Sequence, residues 1–126
     1  NNIENEIFDF EKNFFNLINK SDLCITRAGA TSLAEISIMN KPFIAIPLPT
    51  SKDNHQMENA KYYENLGCCW ILDQKTLNKE KLLNFLLKIL DNKSDIVDKE
   101  SNLKKLNYKN SWNDVNQKLK KIINEN

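Results

Sequence analysis

Short apolar runs and three-to-four-spaced apolar stripes alternate along the first two-thirds of this chain. Leu23-Cys24-Ile25-Thr26, Phe43-Ile44-Ala45-Ile46-Pro47 and Cys69-Trp70-Ile71-Leu72 are near-continuous apolar runs bounded by polar or turn residues. That pattern suits strands covered on both faces. Ile7-Phe8-Asp9-Phe10 is a fourth, weaker strand candidate. Between them, Glu11 to Lys20 carries Phe14, Phe15, Leu17 and Ile18, and Thr31 to Met39 carries Leu33, Ile36 and Met39, both at helical spacing. Asn40-Lys41-Pro42 is expected to end the second of these helices, because the residue before proline disfavours helical backbone. A polar loop from Leu48 to Asn54 leads into a helix over His55 to Leu66, stopped by Gly67.

Beyond Leu72 the alternation gives way to helices alone. Asn78 to Leu90 predicts an amphipathic helix with Leu82, Leu83, Phe85, Leu86, Ile89 and Leu90 inward. Asp95 to Leu106 predicts a polar helix, and Trp112 to Ile123 another, with Trp112, Val115, Leu119 and Ile122 on one face. Strand–helix alternation with such strands implies an α/β fold: a partial Rossmann-like parallel sheet of three to four strands with flanking helices. So small a sheet leaves one edge unpaired and one helix layer thin, as part of a domain would.

Composition narrows the function classes. The chain has 126 residues, 40% hydrophobic and 28% charged, with 18 basic against 17 acidic side chains. That balance gives no global field for nucleic acid. Lys118, Lys120 and Lys121 are interspersed with Asn and Glu and are expected to form a solvated face. No apolar run reaches the length of a membrane span. Cys24, Cys68 and Cys69 make an odd set without zinc-like spacing, and adjacent Cys68 and Cys69 cannot bridge each other without strain. The polar, acidic Asn1 to Glu6 does not resemble a targeting peptide, so a reducing cytoplasmic setting is expected. The chain lacks an initiator Met and is expected to be a fragment. There are two glycines, one histidine and a single arginine; Arg27, Gly29 and His55 fall close together.

Ligands of open parallel sheets bind beyond the carboxyl ends of the strands. Two turns lie there. In Thr26-Arg27-Ala28-Gly29-Ala30-Thr31-Ser32, Gly29 permits positive φ or a close backbone approach. The small Ala30, Thr31 and Ser32 leave the first N–H groups of the helix open to a phosphate or diphosphate. The same pattern also serves a plain helix cap. Glu35, further along that helix, is either dipole compensation or an acceptor for ribose hydroxyls. In the second turn, Asp53 or Asn54 is positioned to cap the next helix. Gln56 carries the donor and acceptors that read sugar hydroxyls, and His55 is a candidate contact beside it. No metal set and no nucleophile–base assembly is legible, so neither a metal nor another cofactor is expected, and no catalytic residue is assigned.

Taken in order, Ser21-Asp22-Leu23-Cys24-Ile25-Thr26-Arg27-Ala28-Gly29-Ala30-Thr31-Ser32-Leu33-Ala34-Glu35, Lys41-Pro42, Ile46-Pro47, Asp53-Asn54-His55-Gln56 and Asn59-Ala60 resemble a known family. It is the C-terminal, donor-binding domain of the peptidoglycan N-acetylglucosaminyltransferases of glycosyltransferase family 28. The resemblance is close over about residues 7 to 90 and looser beyond. It implies transfer of N-acetylglucosamine from UDP-GlcNAc to undecaprenyl-diphospho-muramoyl-pentapeptide, at the cytoplasmic face of the inner membrane, by a two-domain GT-B enzyme with no obligate metal. By the same resemblance, Ala30, Thr31, Ser32, Leu33, Ala34 and Glu35 hold the diphosphate and ribose, with Glu35 at the ribose hydroxyls. Gln56 meets the sugar hydroxyls, with His55 just before it, and Arg27 and Gly29 frame the loop. Ala28 and Ala34 stand where relatives commonly carry serine, so only backbone contacts survive there. The chain then corresponds to an incomplete donor domain, with an α/β core over residues 1–90 and C-terminal helices over 91–126. The acceptor domain, the expected general base and the uracil-recognising strands have no counterpart in it. Two readings stay open beside this one: the donor half of another UDP-sugar enzyme, such as a dolichol-linked GlcNAc transferase, and a non-catalytic module interacting through the C-terminal helices.

Overall fold

A computed structural model describes residues 3–7 and 13–125. In chain order its elements are α1 (Phe14–Lys20), β1 (Cys24–Thr26), α2 (Ala30–Ile38), β2 (Phe43–Ala45), a single 3-10 turn (Lys52–Asn54), α3 (His55–Asn65), β3 (Cys69–Ile71), α4 (Lys79–Asp91) and α5 (Lys93–Glu125). The strands form one parallel sheet in the order β1-β2-β3. Cys24, Phe43 and Cys69 stand abreast, as do Ile25, Ile44 and Trp70, then Thr26, Ala45 and Ile71. The α/β expectation holds. The fourth strand expected at Ile7–Phe10 lies outside the described residues apart from Ile7, as does the start of the helix expected from Glu11.

The apolar runs are strands for the reason the sequence suggests. All three residues of β2, the central strand, are buried. On one face Phe43, Ala45 and Cys69 pack with Leu33 and Ile36 of α2, Ile18 of α1 and Ala60 of α3 into a single core. Phe43 meets the Tyr63 ring edge-on at 5.6 Å between centroids. On the other face Trp70 stacks edge-to-face on Phe85 of α4, with the Lys99 ammonium 4.4 Å from the Trp70 ring centre. That second layer stops short of β1, where Ile25 is 48% exposed. Among the described residues, β1 has a ladder partner on one side only.

Three sequence expectations need correction. Leu83 and Leu90 of α4 face outward, while Ile89 is buried. The two C-terminal helices are one continuous helix of 33 residues. Asn107 to Ser111 contains residues of modest helix propensity but neither Gly nor Pro, so nothing offsets the loss of hydrogen bonds that a break would cost. Finally, Asn40 ends α2 more directly than Pro42 does. Its backbone is left-handed (φ 59), with Asn40 N–H on the Ser37 carbonyl at 3.0 Å and Lys41 N–H on the Ile36 carbonyl at 3.4 Å. This is the paired closure that glycine usually supplies, here with asparagine.

Candidate functional site

The two turns singled out above leave the sheet side by side. Gly29 is the N-cap of α2, with φ −64 and ψ 140. The positive φ allowed for Gly29 is therefore not used, since this backbone suits any residue. What Gly29 supplies is room: a Cβ built there meets nothing closer than Ser32 Oγ at 4.0 Å. The first N–H of α2 with a helical partner is that of Leu33, on the Gly29 carbonyl at 3.0 Å. No side chain caps the helix and no acidic residue occupies its first turn. Among the described residues, the N–H groups of Ala30, Thr31 and Ser32 thus remain unmatched donors at the positive end of the helix.

Gln56 ties the two turns together. Its Oε1 accepts from Ala28 N–H at 3.2 Å and from Leu48 N–H at 2.9 Å. Both partners are backbone donors, which identifies the accepting atom as oxygen. Among the described residues, the amide nitrogen has no hydrogen-bond partner and stays available as a donor. Three residues on, along the same face of α3, Asn59 Nδ2 donates to the Ala28 carbonyl at 3.0 Å. Asn59 belongs to the quoted motif but carried no assigned role; its spacing from Gln56 was the available signal.

Arg27 extends the framework. It donates through Nη1 to the Ile46 carbonyl at 3.3 Å and to Gln74 Oε1. The exits of β1, β2 and β3 are therefore linked through one guanidinium, which points along the sheet's end. Thr26 Oγ1 donates to the Arg27 carbonyl at 2.8 Å.

Asp53 and Asn54 correct another expectation. Both adopt left-handed backbone, with φ 54 and 58, conformations that Asp and Asn tolerate better than most residues. Neither caps α3 with its side chain. Ser51 Oγ accepts from Gln56 N–H at 3.3 Å instead. His55 is exposed, its Nε2 3.8 Å from Asp53 Oδ2, a contact of little energetic weight in solvent. The structure does not bring His55 to the Ala28–Gln56 cluster through any hydrogen bond. Thr31, Ser32, Ala34 and Glu35 lie along α2, and Leu33 is fully buried in the core. Leu33 can therefore contribute to a ligand only through its backbone. Beside the α2 start, Ala30, Glu58, Asn59, Tyr62 and Tyr63 line a cavity of about 240 Å³.

Among the described residues no three His, Cys, Asp or Glu side chains group as metal ligands would. No helix among the described residues is long and apolar enough to cross a membrane. Burial pushes the Cys69 thiol up to about 12, with Glu64 and Cys68 adding to the shift and Lys99 opposing it. Burial raises Cys68 too. All three cysteines are free, and thiols held protonated in this way are poor nucleophiles.

A parallel sheet with a glycine-started, uncapped helix at its carboxyl end defines a class, that of anion- or nucleotide-binding α/β proteins. The family is narrower: residues 1–119 match the glycosyltransferase family 28 C-terminal domain, and the chain belongs to that family. It is 50% identical over 125 residues to the UDP-N-acetylglucosamine--N-acetylmuramyl-(pentapeptide) pyrophosphoryl-undecaprenol N-acetylglucosamine transferase of Pelagibacter ubique, covering 99% of this chain and 35% of the relative. It is 37% identical over 123 residues to the transferase of the same name from Wolbachia pipientis subsp. Culex pipiens, covering 98% of this chain and 35% of that one. Its fold is similar to the crystal structure of Acinetobacter baumannii MurG, with a TM-score of 0.70 and 28% identity over 79% of this chain and 28% of that one. The chain thus spans about a third of the length of these relatives.

Proposed function

We propose that this chain is the donor-binding part of an inverting N-acetylglucosaminyltransferase that uses UDP-GlcNAc and an undecaprenyl-linked muramoyl-pentapeptide acceptor. The observation that carries this reading is the 50% identity to a transferase of that name over 99% of the chain. The uncapped α2 start beside open space at Gly29 supports it physically. The relatives reported above carry the peptidoglycan name, which favours this acceptor over a dolichol-linked one.

In this reading the diphosphate sits against the N–H groups of Ala30, Thr31 and Ser32, and the ribose hydroxyls against Glu35. The sugar is met by the Gln56 amide nitrogen, with His55 at the rim of the same turn. As the glycosidic bond to UDP breaks, negative charge grows on the departing diphosphate. The aimed backbone donors and the helix dipole stabilise it, and no metal is assigned that task. The base that takes the acceptor hydroxyl's proton belongs to the acceptor domain of the full-length enzyme, so this chain alone is assigned no turnover. The lipid tail of the acceptor places the full-length enzyme peripherally at the cytoplasmic membrane face.

The test is titration of UDP and UDP-GlcNAc into the full-length transferase and its Glu35→Ala variant. The variant is expected to bind both ligands about tenfold more weakly, the loss of roughly one charge-assisted hydrogen bond. It should also lose its preference for ribose over 2′-deoxyribose donors. A retained preference would remove Glu35 from the ribose site. Detectable GlcNAc transfer to a lipid-linked acceptor by the 126-residue chain alone would refute its assignment as a donor half-site.

A further inference from the structure

We propose that the groove between the end of α3 and the middle of α5 is a docking site for an acidic, amphipathic segment of a partner protein. The inference is independent of the donor-binding reading and concerns the opposite end of the sheet.

The groove has a volume of about 400 Å³. Tyr62 and Leu66 form its α3 side, and Lys105, Leu106 and Lys109 its α5 side. α3 starts beside the strand exits, where Gln56 grips Ala28, and it ends just before β3 begins. Tyr62 and Leu66 therefore lie toward the amino ends of the strands, away from the turns assigned to the donor. A partner seated there leaves those turns open.

The groove is preformed. Asn102 Nδ2 donates to the Gly67 carbonyl at 3.0 Å, and Asn107 Nδ2 donates to the Ser37 carbonyl at 2.8 Å. These bonds pin α5 on either side of Lys105 and Leu106, so a ligand need not order the walls. The α3 wall is apolar yet wet, with Tyr62 54% and Leu66 44% exposed. Covering such side chains is favourable. The charge is of one sign. None of the lining side chains is acidic, and Lys105 and Lys109 stand one helical turn apart. Among the described residues the ion pairs are His55–Asp53 and Lys104–Glu100, so neither groove lysine is neutralised by one. The chain as a whole carries a net charge of only +1, which makes this a local excess and not a general field.

These features select the occupant. A bilayer takes up apolar side chains that protrude from a helix face, whereas a concave surface takes up a protruding segment. A free phosphate would meet the lysines but leave Tyr62 and Leu66 in water. A helix with apolar anchors one turn apart, flanked by Glu or Asp, covers the wall and pairs both ammonium groups.

The experiment titrates labelled peptides into the full-length transferase. The panel holds helical peptides of about 12 residues with Leu at i, i+3 and i+7 and Glu between, their Lys counterparts, and Glu peptides with Leu replaced by Gln. The Glu–Leu peptides are expected to bind and the other two sets to bind at least about tenfold more weakly. The double change Lys105→Glu, Lys109→Glu should weaken binding about tenfold and Leu66→Ala about threefold. The same charge change at Lys118 and Lys120, further along α5, should leave affinity within about twofold. UDP should neither compete nor lose affinity in any variant. No binding by any Glu–Leu peptide would overturn the proposal. Equal losses from the Lys118 and Lys120 change would reduce it to diffuse attraction, and equal binding of the Glu–Gln peptides would remove the apolar wall from it. Phosphatidylglycerol vesicles or inorganic phosphate displacing the peptide would instead assign the groove to a lipid headgroup or a free anion. Competition by UDP would place the peptide at the donor turns, which also refutes the docking site.

Discussion

At Gly67 the end of α3 depends on one residue twice over. Its φ of 72 lies in the left-handed region, Gly67 N–H meets the Glu64 carbonyl at 2.9 Å, and Cys68 N–H meets the Tyr63 carbonyl at 2.9 Å. A Cβ there would come within 2.6 Å of Asn102 Nδ2, which itself donates to the Gly67 carbonyl at 3.0 Å. Gly67→Ala is therefore expected to lose about 1–2 kcal/mol from backbone strain alone. A further loss comes from displacing Asn102, so in a denaturant-melt cycle with Asn102→Ala the two changes should not add. Cys69 carries a pH signature. Its thiol is raised from 9.0 to about 12 in the fold, so the folded state keeps a proton that the unfolded chain releases. The corresponding stability is complete below the free-thiol value and is lost as pH rises through that window. Melting temperatures of wild type and Cys69→Ala, followed across this window, should converge with rising pH. At this scale the sequence was legible where the cause is local: Gly67 reads as a stop because glycine suits that backbone. That Gln56 clamps the two turns was not legible, since its partner Ala28 is 28 residues away.

Elements were legible in proportion to how fully they are buried. β2 is apolar at every position because both of its faces are covered, and it was read directly. α2 was read from Leu33 and Ile36, its two buried apolar side chains. Leu33→Ala removes a fully buried side chain between sheet and helix and is expected to cost about 2–5 kcal/mol, measurable by denaturant unfolding. α5 was misread as two helices because polar Asn107 to Ser111 interrupts its apolar stripe; beside the fully buried Leu103 its anchors are polar contacts, which carry no periodic signal. Asn102 bonds Gly67, and Asn107 Nδ2 donates to the Ser37 carbonyl at 2.8 Å and to Asn40 Oδ1 at 2.6 Å. Past Asn107 the helix exposes Tyr108, Trp112, Val115, Leu119, Ile122 and Ile123. Truncation after Asn110 should therefore leave the melting transition essentially unchanged, whereas Asn107→Ala should lower it by about 1 kcal/mol, as lost buried hydrogen bonds do.

For the whole molecule, the three strand exits form one stapled surface, with Arg27 spanning to Ile46 and Gln74, and Gln56 and Asn59 gripping Ala28. The parallel sheet was legible from strand–helix alternation; the staples were not, because they join segments far apart in sequence. The sheet's other boundary has a practical consequence. Among the described residues, β1 has no ladder partner on its outer side, next to exposed Ile25, Phe14 and Phe15. Such a border is a template for another strand. Produced by itself at high concentration, this chain should self-associate border to border. A lysine in place of Ile25 should raise its solubility limit while leaving the opposite, core-facing side of β1 intact.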